Sequence, residues 1–324
     1  MRAVRCHQLI GPKGLRVDDL ENPTASEGEV LIDVHAAGVN FPEVLLTYGK
    51  YQFKPEPPFI PGGEAAGVVS GVGANVSSLK VGDRVAATMI NGAFAEKIVV
   101  SELAAVKLPD AVDFQVAAVT LLTYATTYHA LVDRAQLKAG ETLLVLGAGG
   151  GVGVAAIQLG KLLGAKVIAA ASTPEKIAFC KQMGADDGVC YGTEDLKERV
   201  KALTLGEGAN VIYDPVGGRY SEPALRSIAW EGRFLVVGFA AGDIPKIPLN
   251  LALLKGCQIV GVFWGAFAMR EPLRQRANAD KILAWVAEGK LKPHVDASLP
   301  FDRAAEALER LEKRQVLGKL VLVP

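Results

Sequence analysis

The stretch LGAGGGVG (146–153) decides how the rest of the chain is read. It follows the apolar run ETLLVLG (141–147) and opens GVGVAAIQLGKLLG, in which Val154, Ile157 and Leu162 recur at helical spacing. A glycine loop between a strand and a helix is the βα turn of a dinucleotide-binding unit, and that context strengthens an otherwise weak pattern. Ala148 stands at the first glycine position, and Gly150 and Gly153 fill the other two. The middle glycine lets backbone approach a pyrophosphate, and the last lets helix and strand pack closely. The amides near Gly151 and Val152 then face the phosphates from a helix N-terminus.

The same organisation continues downstream. AKVIAAA (165–171), GVCY (188–191), NVIYD (210–214), RFLVVG (233–238) and QIVGVF (258–263) are apolar and rich in Val and Ile, as strands buried on both faces are. Their alternation with helical segments predicts a doubly wound parallel sheet. In such a unit the second strand commonly ends in an acid that bonds the ribose hydroxyls of NAD. Here the chain reads AAASTPEK (169–176), so Ala171 and Ser172 occupy that end and Lys176 follows. A small neutral residue with a nearby cation accommodates a 2′-phosphate that a carboxylate would repel. The pattern favours NADP(H), with Ser172 and Lys176 at the phosphate. The plainer alternatives are a solvated helix lysine and a serine that only caps the helix starting at Pro174.

With 324 residues the chain has room for two domains, and with 50% hydrophobic residues it has material for two cores. Lys plus Arg equals Asp plus Glu at 35 each, which leaves no basic field for a phosphate backbone, so no nucleic acid partner is expected. Cys6, Cys180, Cys190 and Cys257 are scattered and form no CxxC pair, which predicts reduced thiols rather than a disulfide framework or a zinc lobe. No leader-like apolar run opens the sequence, and none reaches the roughly 18 apolar residues of a membrane span. A cytoplasmic protein without membrane contact is expected.

The first third differs in character. EVLIDVHAAGV (29–39), AAGVVSGVG (65–73), GDRVAAT (82–88) and AFAEKIVV (93–100) are short runs separated by Gly, Pro and Asn, which predicts a β-rich, barrel-like unit. Helical periodicity takes over from Asp113 to about Leu137. After the last parallel strand come helical patches at KILAWVAEG (281–289) and RAAEALERLEK (303–313), then a closing strand in GKLVLVP (318–324).

Taken together, AAGVNFPEVLLTYGKY (36–51), PFIPGGEAAGVVSGVG (58–73), VGDRV (81–85), the AGGGVG loop, GAD (184–186), DPVGG (214–218), GRFLVVG (232–238) and the closing GKLVL resemble one family. The chain is similar to the zinc-independent quinone oxidoreductases of the medium-chain dehydrogenase/reductase superfamily, the group that includes zeta-crystallin. The resemblance implies an α/β chain with a GroES-like β-rich catalytic domain (1–124 and 264–324). A Rossmann NADP-binding domain (125–263) is inserted into it, and the cofactor lies in the cleft. In the zinc branch a cysteine stands at the position of Asn40 and a histidine at that of Gly63; both ligands are missing, as is the cysteine-rich structural loop. The four histidines, His7, His35, His129 and His294, have no metal-ligand spacing either, so no metal site is expected.

The resemblance also implies roles. Asn40 would lie near the nicotinamide and Tyr51 would be the donor to the acceptor, with Tyr48 as the competing hydroxyl and a pocket-shaping Tyr51 as the alternative. Tyr191 would join Lys176 at the 2′-phosphate. Gly238 and Phe239 would follow the fifth strand, Phe263, Trp264 and Gly265 would lie near the nicotinamide, and Lys319 would contact the cofactor from the last strand. Thr123 or Thr127 would reach the ribose or amide, or else simply pack in a helix.

Without a Lewis acid, the suitable acceptors take hydride directly and delocalise the charge onto oxygen, as a quinone or an alkene conjugated to a carbonyl does. NADPH-dependent quinone reduction is the expected function, with conjugated enones, enals or enoyl thioesters as alternative substrates. A protein that binds NADPH without significant turnover is the second alternative. A homodimer is expected, because QIVGVF would be an edge strand whose free backbone groups a twofold partner could satisfy.

Overall fold

The computed structural model describes residues 1–324 and divides into two compact units, Met1–Leu122 with Ala268–Pro324, and Thr123–Phe267. The divisions fall at 122/123 and 267/268, where 124/125 and 263/264 were expected. Both lie inside helices, Leu121–Tyr128 and Trp264–Arg270, so no break in composition marks them.

The second unit carries a parallel six-stranded sheet. Its spatial order is Asp187–Cys190, Lys166–Ala171, Thr142–Leu146, Ala209–Asp214, Ile228–Val236 and Gln258–Gly261. In chain order this is 3-2-1-4-5-6, so the direction of winding reverses between the first strand and the fourth. Ligands of open α/β sheets bind outside the carboxyl ends of the strands at that reversal. The central strands are fully buried at Leu143, Leu144, Val145, Leu146, Val211, Ile212 and Tyr213, which explains their unbroken apolar sequence. Arg233 forks onto Glu141 with contacts of 2.6 and 2.8 Å, tying the fifth strand to the start of the first. The region of helical periodicity after Asp113 resolves into Phe114–Ala117, Leu121–Tyr128 and a π-helical segment, His129–Arg134.

The first unit is built on a seven-stranded sheet in which Lys319–Val323, Glu29–Val39 and Glu64–Val72 lie side by side. Glu29–Val39 is antiparallel to both neighbours, with Val39 opposite Leu320 and Gly38 opposite Glu64. This register brings Lys319, Asn40 and Glu64 to one end of three adjacent strands. Phe94, Ile32, Val85 and Phe301 fill the core beneath, each at most 1% exposed. Helices Pro272–Ala287 and Ala304–Glu312 account for the two later helical patches.

Gly38 shows how tightly this end is packed. A Cβ there would meet the Ala118 carbonyl oxygen at 2.1 Å and the Glu64 carboxylate at 2.7 Å, so only glycine fits without moving backbone. We expect Gly38→Ala to destabilise the chain by about 1–3 kcal/mol or more in chemical denaturation. An unchanged midpoint and slope would contradict the packing described here.

Candidate functional site

In the second unit, the strand Thr142–Leu146 turns at Gly147, whose φ of +59° lies in the left-handed region, and enters the helix Gly151–Leu162 through Gly150 as its N-cap. A Cβ at Gly153 would stand 2.5 Å from the Gly147 carbonyl oxygen and 2.6 Å from the Ala148 Cα. The third glycine of the motif is therefore demanded by the close approach of helix to strand. Gly150 is different, because its missing Cβ would meet nothing nearer than 3.5 Å. That glycine leaves open space over the amides of Gly151, Val152 and Gly153, where a pyrophosphate can approach.

The structure brings Lys176 onto this loop, its aliphatic stem 3.5–3.6 Å from where a Gly149 Cβ would be. The cap of its helix is Thr173, whose hydroxyl accepts from the Lys176 amide at 3.3 Å. Ser172 is thus not the N-cap, and the capping alternative for it falls away. The Tyr191 amide donates to the Ala171 carbonyl at 3.0 Å, which sets Tyr191 at the same sheet end as Ser172. Tyr191 packs on Tyr220 with ring centroids 4.4 Å apart, and the Arg219 guanidinium lies 5.0 Å over the Tyr220 ring while donating to its hydroxyl at 2.9 Å. Sequence reasoning missed Arg219 and Tyr220. Their only signal was their place directly after the DPVGG turn.

That turn is held by Asp214, a buried side chain at the end of the fourth strand. Its carboxylate accepts from the amides of Val216 and Gly217 at 2.8 Å each and from the Ser221 hydroxyl at 2.6 Å, and burial raises its pKa despite them. Gly238 follows the fifth strand against the Pro215 carbonyl, and Phe239 lies over Gly217, where a Cβ would be 2.8 Å from its ring. Phe263 is 62% exposed, and Trp264 and Gly265 open the helix Trp264–Arg270. Thr127 donates to the Thr123 carbonyl at 2.8 Å and meets the Tyr213 hydroxyl at 3.0 Å, the helix-packing alternative for that residue.

In the first unit, Asn40 precedes the helix Phe41–Thr47 and Glu43 reaches back to it. The Glu43 carboxylate accepts from the Asn40 amide at 2.8 Å and from the Gly63 amide at 2.9 Å. Glu64 accepts from the Asn40 side-chain amide at 3.2 Å, from the Lys319 ammonium at 3.0 Å and from the Leu122 amide at 2.9 Å. Lys319 also donates to the Val39 carbonyl at 2.8 Å and to the Asn40 side-chain oxygen. All four side chains are buried. The sequence reading singled out Asn40 and Lys319 but neither acid. The signal it passed over was Asn40-x-x-Glu43, a capping pattern.

Tyr51 is half-buried against Cys6, Leu46 and Phe59, and its phenol pKa is raised by burial and by the Glu43 charge, so it stays protonated. Tyr48 is otherwise engaged: its hydroxyl is hydrogen-bonded to Glu312, which, with some burial, raises its pKa. Of the two competing hydroxyls, Tyr51 is the one beside the Asn40 network. No group of three or more His, Cys, Asp or Glu side chains lies together so as to hold a metal ion.

Residues 26–110 match the family model for the alcohol dehydrogenase GroES-like domain, and residues 151–279 match that for zinc-binding dehydrogenase. Over 324 residues the chain is 40% identical to the quinone oxidoreductase-like protein 2 homolog of Nematostella vectensis, covering 99% of the chain and 88% of that protein. It belongs to the quinone oxidoreductase branch of the medium-chain dehydrogenase/reductase superfamily. Human quinone oxidoreductase is 34% identical, with 100% of the chain and 98% of that protein covered. The structure of Escherichia coli quinone oxidoreductase complexed with NADPH superposes with a TM-score of 0.94 at 29% identity, over 100% of both chains. The chain is accordingly an oxidoreductase of this superfamily. No helix is long and apolar enough to cross a membrane.

Burial raises the Glu43 pKa to about 7 from an ordinary 4.5, the Lys319 charge opposing and the Glu64 charge adding. The folded chain therefore keeps a proton that the unfolded chain has lost. The stability this supplies is complete below the unfolded value and declines as pH rises towards about 7. We expect denaturation free energy to fall between those pH values with a component of up to about 1.4 kcal/mol per pH unit that Glu43→Gln lacks. Parallel profiles for the two proteins would show that Glu43 is already ionised in the fold.

Proposed function

We propose that the chain reduces quinones with NADPH, by hydride transfer and without catalytic zinc. The observation that carries this reading is the donor set around Asn40. An amide stands at 40 and a glycine at 63, a Cβ at 63 would lie 3.3 Å from the Glu43 carboxylate, and an ammonium is already bonded to the Asn40 oxygen. Carboxylate and amide oxygens filled by an internal cation make a poor zinc site, which favours soft or imidazole ligands.

The residues of the second unit fit NADP(H). The amides of Gly150, Gly151, Val152 and Gly153 offer donors to the pyrophosphate. We assign Ser172, Lys176 and Tyr191 to the 2′-phosphate of the adenosine half, because a serine occupies the position directly after the second strand where an acid would repel it, and the nearby Glu175 and Glu194 carboxylates are engaged by Thr173 and the Cys190 amide. Gly238, Phe239, Phe263, Trp264 and Gly265 are assigned to the nicotinamide half. The nucleotide, when bound, supplies the hydride and its electron pair. Tyr51, protonated and beside Glu43, is the donor that meets the charge developing on the acceptor oxygen.

The same protonated phenol favours a second reading, reduction of conjugated enones, enals or enoyl thioesters, because these need a proton delivered to carbon. Two further assignments accompany the main one. The edge strand Gln258–Gly261 leaves Ile259 exposed, and Trp230, Leu249, Leu253 and Leu254 are exposed in the same unit, which supports a homodimer formed along this edge. The four unpaired cysteines suit the reducing cytoplasm.

The test is NADPH and NADH oxidation followed optically against a benzoquinone, a naphthoquinone, phenanthrenequinone and several enones. Quinone turnover that prefers NADPH is expected, and Ser172→Asp should lower the NADPH over NADH preference by about tenfold or more, about 1.4 kcal/mol. Enone turnover alone would support the second reading, and tight NADPH binding without turnover would leave a binding protein. NADH preference in the wild type would overturn the 2′-phosphate assignment. A light-scattering mass of one chain would remove the dimer.

A further inference from the structure

Lys319 is buried with only 5% of its surface exposed, in a setting that contains two buried carboxyls, Glu43 and Glu64. An ammonium has three N–H donors. All three have acceptors in the first unit: the Val39 carbonyl, the Asn40 side-chain oxygen and Glu64 Oε1. None is left for a phosphate or a substrate. Sequence resemblance alone had placed Lys319 among the cofactor contacts.

The ammonium also dictates the polarity of Asn40. The Asn40 oxygen must face the cation, since the flipped amide would set NH2 against NH3⁺. Its nitrogen then points inward, donating to Glu64 Oε1 at 3.2 Å and towards the Gly38 carbonyl at 3.4 Å. Both N–H groups are spent inside the network. The Asn40 oxygen faces the ammonium and the Glu43 backbone amide of the capping box, so Asn40 has no donor left to offer.

We propose that Lys319 is a positioning residue that locks Asn40 with its oxygen towards the cation and both amide N–H groups turned inward, so that Asn40 cannot stabilise negative charge on an acceptor oxygen. Donation to that oxygen then falls to Tyr51. The proposal rests on the oxidoreductase reading given above, but it makes a claim about binding that can be tested without turnover.

The experiment compares wild type, Lys319→Met and Lys319→Met with Glu64→Gln. Methionine keeps an unbranched side chain, one atom shorter, and removes the charge and all three donors. The single variant strands the Glu64 charge in the interior and should melt at lower temperature. The double variant removes that charge and should recover most of the melting temperature, while its Asn40 amide is free to turn. NADPH affinity is read by fluorescence titration, and kcat and KM with a naphthoquinone are measured alongside.

We expect the NADPH dissociation constant of the double variant to stay within about threefold of wild type, and kcat to remain down by about tenfold or more although stability has returned. A dissociation constant raised about tenfold, with a weaker dependence on salt, would make Lys319 a phosphate ligand and overturn the proposal. Recovery of kcat together with stability would overturn it as well, since charge balance would then be the whole role of Lys319. If the wild type turns over no acceptor, the functional reading fails, and the NADPH titrations still decide whether Lys319 touches the nucleotide.

Discussion

The first unit depends on one buried cation. Lys319, Asn40 and Glu64 come from the ends of three adjacent strands, and Glu43 comes from the helix that follows the middle one. A lysine at 5% exposure is tolerated only because each of its donors has an acceptor. Removing any one partner would leave a polar group or a charge without compensation in a medium that penalises it heavily. Such a network holds geometry more than it adds stability. It fixes where the Asn40 amide points, where the Gly63 amide lies through Glu43, and how closely Gly38 approaches both neighbours.

The second unit is governed by a contact of another kind, the approach of a helix to a strand. Gly153 brings backbone to within 2.5 Å of where its own side chain would begin, and the turn that results leaves unpaired amides facing outward from a helix end. The same tight turn lets the stem of Lys176 lie over Gly149. One packing constraint therefore yields both the outward-facing amides and the nearby lysine to which the proposed function assigns the nucleotide phosphates.

Much of this was legible in the sequence because it is local. The glycine loop, the apolar strands of the parallel sheet and the missing acid after Ala171 are all read within windows of a few tens of residues, and periodicity reports burial directly. The strand assigned to 258–263 is shorter in the structure, ending at Gly261, because an edge strand has pairing on one side only. The network around Asn40 was half legible. Its members lie 24 and 255 residues from Glu64, distances that only strand register closes. Asn40 and Lys319 stood out through resemblance, but the three acceptors that hold the Lys319 ammonium come from residues far away in the chain and leave no local pattern. Arg219 and Tyr220 escaped notice because a ring pair across two loops leaves no period in the chain.

The family models that match this chain include one described as a zinc-binding dehydrogenase, while the site's positive charge is supplied by the chain itself. The ammonium bonded to Asn40 and Glu64 is what the proposed zinc-independent chemistry rests on. Metal analysis of the purified protein, joined to NADPH-dependent quinone turnover before and after exhaustive chelation, tests it most directly. The account predicts far less than one zinc per chain and turnover unchanged by the chelator. One zinc per chain, with turnover lost on its removal and regained on its return, would contradict it.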